Sequence, residues 1–118
     1  MIAIHKKYRA SVMASMKVVK NELTKIALPK EEGKELVMMS FADLIGVVVS
    51  TKSKEGFNLK EQRVRFKILD ITDNAKPEAD LSFEDSDFEI IRNSVNSMQW
   101  SLLHRDIVSF GDAINECK

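Results

Sequence analysis

Apolar side chains recur every three or four residues along much of this chain, and this spacing limits its possible folds more than any other feature. Near the N-terminus, six apolar residues are separated by 4, 4, 3, 4 and 3 positions: Tyr8, Val12, Met16, Val19, Leu23 and Ile26. Such spacing is typical of one face of an amphipathic helix. Pro29 and Gly33 follow this stretch and are expected to end the helix. The pattern therefore predicts an N-terminal amphipathic helix within residues 1–35.

The role of this apolar face is left open by the sequence. Most helices of this kind cover the core of their own domain. The same spacing would also suit pairing with a second copy of the chain or with another protein. The candidate interface residues on this face are Val12, Met16, Val19 and Leu23.

Residues 36–50 combine a short extended stretch with a helix. Leu36 to Met39 is expected to be extended, and Ser40 with Asp43 three positions later resembles a helix N-cap. A helix over residues 41–50 follows from these signals. The β-branched run Val47–Val49 favours a buried strand instead, and this alternative stays open.

The stretch 57–73 fits either a helix or a strand. Asn58 and Glu61 form an asparagine version of the capping box, which favours a helix. On such a helix the apolar side expected to pack inward holds Leu59, Gln62, Phe66 and Leu69. As a strand, the segment would place three cations in one row and could form a short β-hairpin within residues 36–71.

The last third predicts two further helices. Ser82 is the expected N-cap of a helix over 83–97, with Asp85 at its third position and Leu81 packing before the cap. A second helix follows from apolar residues separated by 4, 3 and 4 positions: Leu103, Ile107, Phe110 and Ile114. A short connection between two such helices indicates an antiparallel hairpin. The predicted fold is a single mainly α domain, residues 1–118, of about five helices.

The sequence contains little that points to catalysis or to a bound cofactor. His5 and His104 are far apart, and neither has a cysteine or second histidine at metal-ligand spacing. The four glycines do not cluster into a phosphate-binding loop. The acids Glu84, Asp85 and Asp87 fit a helix N-terminus better than a cation site. We expect no enzyme activity, no metal and no cofactor, and we interpret His104 as a capping or surface residue.

Charge is distributed unevenly, although the net charge is zero. Residues 1–68 carry 14 Lys and Arg against 7 Asp and Glu, whereas residues 69–118 carry 4 against 11. Such asymmetry can mark a nucleic-acid or acidic-partner surface, unless the two halves fold together and their charges cancel. The candidate anion-binding residues are Lys60, Arg63, Lys67, Lys6, Lys7 and Arg9.

Two further observations concern partners and location. Trp100, the only tryptophan, either fills the core or anchors an interface. The longest uninterrupted apolar run is far shorter than the roughly 20 residues of a membrane span. The absence of a signal-like segment and the single cysteine, Cys117, favour a cytoplasmic protein.

The segment from residue 59 to 114 resembles a pattern found in small bacteriophage and prophage proteins of unassigned role. In that pattern a basic helix precedes an acidic helix start, then a tryptophan and a closing amphipathic helix. The matching residues here are Arg63, Arg65, Leu81, Glu84, Asp85, Asp87, Phe88, Trp100, Ile107 and Phe110. The resemblance implies a viral origin and no catalytic residues. We expect the protein to act through protein contacts, with a partner or with a second copy, as a virion component, an assembly component or a host-directed factor. Nucleic-acid binding is the alternative function.

Overall fold

The computed structural model describes residues 16–29, 36–51, 56–100 and 103–117, and within these ranges the protein has an α+β fold. These ranges contain four strands and four helices, so the predicted mainly α fold of about five helices is wrong. The elements are β1 (Met16–Lys20), β2 (Leu23–Pro29), β3 (Leu36–Ser40), α1 (Phe41–Ser50), α2 (Leu59–Asp73), β4 (Asp80–Glu84), α3 (Asp85–Ser97) and α4 (Arg105–Glu116).

The strands form two separate antiparallel pairs. β1 pairs with β4, which places Met16 opposite Glu84 and Lys20 opposite Asp80. In both strands alternate residues face inward, as the pleat requires. The buried side chains that result on this sheet are Val19, Leu81 and Phe83.

β2 pairs with β3 and contains an irregularity between Leu23 and Ala27. The buried Thr24 hydroxyl compensates for the interrupted ladder, because it donates to the Met39 carbonyl at 2.7 Å and accepts from the Ile26 amide at 3.1 Å. The backbone amide of Lys25 is freed by the irregularity and donates to Asp106 Oδ2 at 2.7 Å. This strand thereby attaches to α4.

The predicted N-terminal helix is wrong over the part that the structure describes. Met16 and Leu23 lie on β1 and β2 with exposed side chains, whereas Val19 is buried in the core. The three residues therefore do not share a face, because a strand sends alternate side chains to opposite sides. Val12 lies outside the described residues, as do Lys6, Lys7 and Arg9.

Both predicted N-caps that precede α1 and α2 are confirmed. The Ser40 hydroxyl accepts from the Asp43 amide, and the Asp43 carboxylate accepts from the Ser40 amide at 2.8 Å. Asn58 and Glu61 make the same reciprocal pair at the start of α2. Each pair satisfies otherwise free amides at the helix start. The alternative strands at 44–50 and 62–71, and the hairpin between them, are therefore wrong.

The helix predicted over residues 83–97 begins later than expected, because a strand occupies the residues before it. Ser82 is an exposed residue of β4, and α3 begins at Asp85 with Glu84 in the N-cap position and no side-chain cap. Leu81 is buried as a strand residue. The alternation of Asp80–Glu84 matches a half-buried strand, and its pairing with β1 outweighs the capping signal.

One apolar core joins the two sheets to the helices. Phe41 of α1 and Phe110 of α4 meet edge to face, with ring centroids 5.3 Å apart. Phe83 and Phe88 contact each other where β4 leads into α3. The two predicted C-terminal helices are present as α3 and α4 and contact each other, and they also pack against α1 and the strands. No helix in the described part of the chain is long and apolar enough to cross a membrane.

Asn21, in the turn between β1 and β2, connects three parts of the fold. Its side chain accepts from the Ala42 amide at 2.7 Å and donates to the Lys76 carbonyl at 2.9 Å. Its backbone amide and carbonyl are bonded to Ala79 and Glu78. The residue is almost fully buried, so the start of α1 and the α2–β4 loop are both held by one side chain.

Candidate interaction surfaces

The structure separates Lys60, Arg63 and Lys67, the three candidate anion-binding residues of α2. Lys60 and Arg63 are exposed, and their side chains make no ion pair with another described residue. Lys67 instead contacts two carboxylates at the β4–α3 junction. Its Nζ lies 2.6 Å from Glu84 Oε2 and 2.9 Å from Asp87 Oδ2. Of the three candidate anion-binding residues on α2, two therefore make no ion pair within the described part of the chain.

The Lys67 contacts compensate a buried charge. Asp87 is 5% exposed, and its Oδ2 accepts no well-directed hydrogen bond from the described residues, so the nearby ammonium balances its charge. Glu84, and after it Asp87, raises the pKa of Lys67 above its ordinary value. The positively charged form of Lys67 makes both contacts, so this lysine holds α2 against β4 and α3.

Replacing Lys67 with alanine is expected to lower the free energy of unfolding by about 1–3 kcal/mol, because Asp87 would remain buried without its cation. The estimate lies below that for a fully buried pair because Lys67 is half exposed. Urea unfolding followed by circular dichroism measures the change. Lys60→Ala, on the same helix but without an ion pair, is the matched control and should change stability by less than about 0.5 kcal/mol.

This contact also predicts a loss of stability in alkali. A raised folded-state pKa contributes stability that is complete below the unfolded-state value, near 10.4, and disappears as the pH rises through the folded value. Wild type should therefore lose more stability between pH 9 and pH 12 than Lys67→Met does. Equal losses in the two proteins would contradict this role for Lys67.

The guanidinium of Arg65 contacts groups of the protein itself rather than an external anion. Its Nη1 donates to the Val49 carbonyl at 3.0 Å and to Ser94 Oγ at 3.2 Å, and its guanidinium lies 4.4 Å from the centre of the Phe57 ring. Burial lowers the pKa of Arg65, and the charge of Glu61 opposes that effect. The side chain therefore connects the C-terminal end of α1 to α3.

The solvent-facing side of α2 carries apolar residues that were expected to pack inward. Leu59 is 69% exposed and Phe66 is 61% exposed, and Gln62 is exposed with them. The side that packs inward instead holds Val64, Ile68, Ile71 and Thr72. The expected packing face was therefore wrong at Leu59, Gln62 and Phe66 but right at Leu69, which is partly buried against the core, because Ile68 and Thr72 fix the helix in a different rotation.

An open apolar cleft lies where the chain leaves α3 and enters α4. Its volume is about 480 Å³, and its described lining residues are Met98, Gln99, Trp100, Leu103, His104, Ile107 and Val108. Trp100 is partly buried and packs against the core, whereas Leu103 is 99% exposed. Trp100 thus lies both beside the core and on a surface cleft. Leu103 was expected to pack inside the final helix, but it precedes α4.

Hydrogen bonds hold one wall of this cleft. His104 is the N-cap of α4, and its Nδ1 accepts from the Asp106 amide at 3.0 Å, so the interpretation of His104 as a capping residue is confirmed. Asp106 in turn accepts from the Lys25 amide of β2. Two hydrogen bonds therefore fix the first turn of α4, one to its N-cap residue His104 and one to the backbone of β2.

No family model, curated protein or solved structure matches this chain.

Proposed function

We propose that the protein acts without catalysis by binding another protein through the cleft at Trp100. The observation that carries this proposal is the combination of a concave apolar lining with the fully exposed Leu103. Contiguous exposed apolar surface is typical of protein interaction sites, and tryptophan is enriched among the residues that dominate their binding energy. Fixed bonds at His104 and Asp106 would keep the cleft formed before a partner binds.

The charge of the surrounding chain limits the chemistry of the partner. Residues 69–118, which contain the whole cleft, carry 4 basic and 11 acidic residues. A partner that inserts an apolar side chain flanked by Lys or Arg would match both the cleft and the net negative charge of this part of the chain. The resemblance to bacteriophage and prophage proteins extends the proposal to a virion component, an assembly component or a host-directed factor, acting in a bacterial cytoplasm or in the virion.

Selection from a displayed random peptide library tests the cleft directly. We expect enriched peptides to contain a large apolar residue between basic residues and to change the fluorescence of Trp100, the only tryptophan. Leu103→Asp should weaken their binding at least about tenfold while changing stability by less than about 0.5 kcal/mol, because Leu103 is a fully exposed residue.

Leu59→Asp is the matched control, since it introduces the same charge at an exposed leucine of α2, away from the cleft. It should bind the selected peptides as wild type does. Failure to enrich any peptide, or equal binding of those peptides to wild type and to Leu103→Asp, would overturn the proposal.

Nucleic-acid binding is the alternative function, and one observation favours it. The exposed Phe66 lies on α2 with Lys60 and Arg63, which form no ion pair among the described residues, and single-stranded nucleic acids bind aromatic side chains flanked by positive charge. Lys67 contacts Glu84 and Asp87 and is therefore not available to a phosphate group, which weakens the case for nucleic-acid binding. Titration of a labelled oligonucleotide at low salt distinguishes nucleic-acid binding from protein binding, because phosphate contacts are strongest at low salt.

A further inference from the structure

The solvent-facing side of α2 forms a continuous stripe of exposed residues. They are separated by 4, 3, 4 and 3 positions, so they follow one line along the helix: Leu59, Arg63, Phe66, Asp70 and Asp73. This is the spacing at which two helices pack along their length. The stripe lies opposite the side that carries the buried Ile68 and Thr72.

The charges on this side of α2 change sign along the helix. Arg63 lies in the N-terminal half of the stripe, and Asp70 and Asp73 lie in its C-terminal half. None of these three side chains makes an ion pair with another described residue. Residues seven positions apart are separated by about 10.5 Å along a helix axis, so Arg63 cannot reach Asp70 of its own chain.

An antiparallel second copy of α2 would bring these opposite charges together. The midpoint between Arg63 and Asp70 falls beside Phe66. A two-fold axis beside Phe66 therefore places Arg63 next to Asp70 of the second copy. This pair occurs twice, as an isologous interface requires.

We infer that the exposed stripe of α2 is a homodimer interface, in which α2 packs antiparallel on α2 of a second copy with the two Phe66 rings at the axis. The exposed apolar Phe66 at the centre and the charged residues beside it match the usual arrangement of an apolar interface core and a polar rim. One helix of 15 residues offers a small contact area, so the dimer is weak and sensitive to salt. The inference does not depend on the cleft at Trp100.

Sedimentation velocity on the whole protein, at concentrations from about 10 to 500 μM, tests this interface through a charge exchange. We expect a reversible dimer for wild type. Arg63→Asp and Asp70→Arg should each weaken dimerisation at least about tenfold, because each places like charges opposite each other twice. The double variant Arg63→Asp/Asp70→Arg restores the opposite pairs and should return the association constant to within about threefold of wild type.

Phe66→Ala supplies a second test that leaves the charges unchanged, and it should also weaken the dimer. Arg105→Asp, at an exposed arginine of α4, is the matched control and should dimerise as wild type does. Circular dichroism is used to confirm that each variant is folded.

Three results would overturn the inference. Wild type could sediment as a monomer throughout the concentration range, or the double variant could fail to recover the association lost in the single variants. The third result would be that the stripe binds nucleic acid in place of a second copy. In that case Asp70→Arg would strengthen binding to a thymidine oligonucleotide, and Arg63→Asp would weaken this binding. A homodimer interface predicts that both single variants lose self-association instead.

Discussion

Replacing Asn21 with alanine is expected to remove about 2–6 kcal/mol from the free energy of unfolding. The substitution would leave the Ala42 amide and the Lys76 carbonyl without their buried partner. A buried polar group that loses its hydrogen bond costs about 1–3 kcal/mol, and two are affected here. Since domains of this size are stable by about 5–15 kcal/mol, a single side chain controls a large share of the total.

Urea unfolding monitored by circular dichroism gives the free-energy change for Asn21→Ala, with the slope of the transition expected to stay constant. Asn96→Ala is the matched control, because Asn96 is an exposed asparagine that bonds to Asn115. It should cost less than about 1 kcal/mol, as exposed hydrogen bonds contribute little. Equal effects at the two asparagines would show that Asn21 does not connect the elements as described.

Replacing Phe110 with alanine is expected to destabilise the protein by about 3–5 kcal/mol. Phe110 is fully buried on α4, and its ring meets Phe41 of α1 edge to face. The truncated side chain would lose this aromatic contact and leave a cavity that the surrounding residues can only partly fill. Because α4 also forms one wall of the cleft, peptide binding measured at Trp100 should weaken as well.

The comparison with Phe110→Leu separates lost volume from lost aromatic contact. Leucine fills most of the site, so this variant should cost about 1–1.5 kcal/mol and retain the cleft. Val108→Ala, on the exposed side of the same helix, should change stability by less than about 0.5 kcal/mol. A small effect of Phe110→Ala would mean that α4 is held mainly by Asp106 and the backbone of Lys25.

Local signals were sufficient to predict the starts of two helices. Ser40 with Asp43, and Asn58 with Glu61, are separated by three residues, and each pair forms both of its hydrogen bonds within one turn. Such bonds depend only on neighbours in sequence, so distant parts of the chain do not change them. The same reasoning failed at Ser82, where a distant strand, β1, determines the local structure.

The strands were missed because their partners are not visible in the local sequence. Met16, Val19 and Leu23 fit helical spacing, yet the same stretch divides into alternating strand residues on either side of the buried Asn21. Tertiary pairing decided between the two patterns. The stripe on α2 could not be recognised either, since exposure of Phe66 depends on which side of the helix packs against α1.

The cleft was only partly foreseen. Trp100 was a candidate interface residue, but Leu103 was assigned to the inward face of a helix that begins two residues later. Leu103 and Ile107 do have helical spacing in the sequence, but His104 caps the helix, so the helix begins after Leu103. The capping role of His104 was the signal that could have excluded Leu103 from the helix.

The pairing of β1 with β4 has a consequence for the order in which the molecule assembles. Strand residues 16–20 must wait for residues 80–84, so the loop between them has to close before either edge finds its partner. Chains dominated by such long-range contacts fold slowly. We expect α1 and α2 to form early around their own caps, and the joining of the two chain regions through β1 and β4 to limit the rate. A newly made chain would meanwhile present Val19 and an unpaired edge to its neighbours, which makes this stage the one most exposed to aggregation.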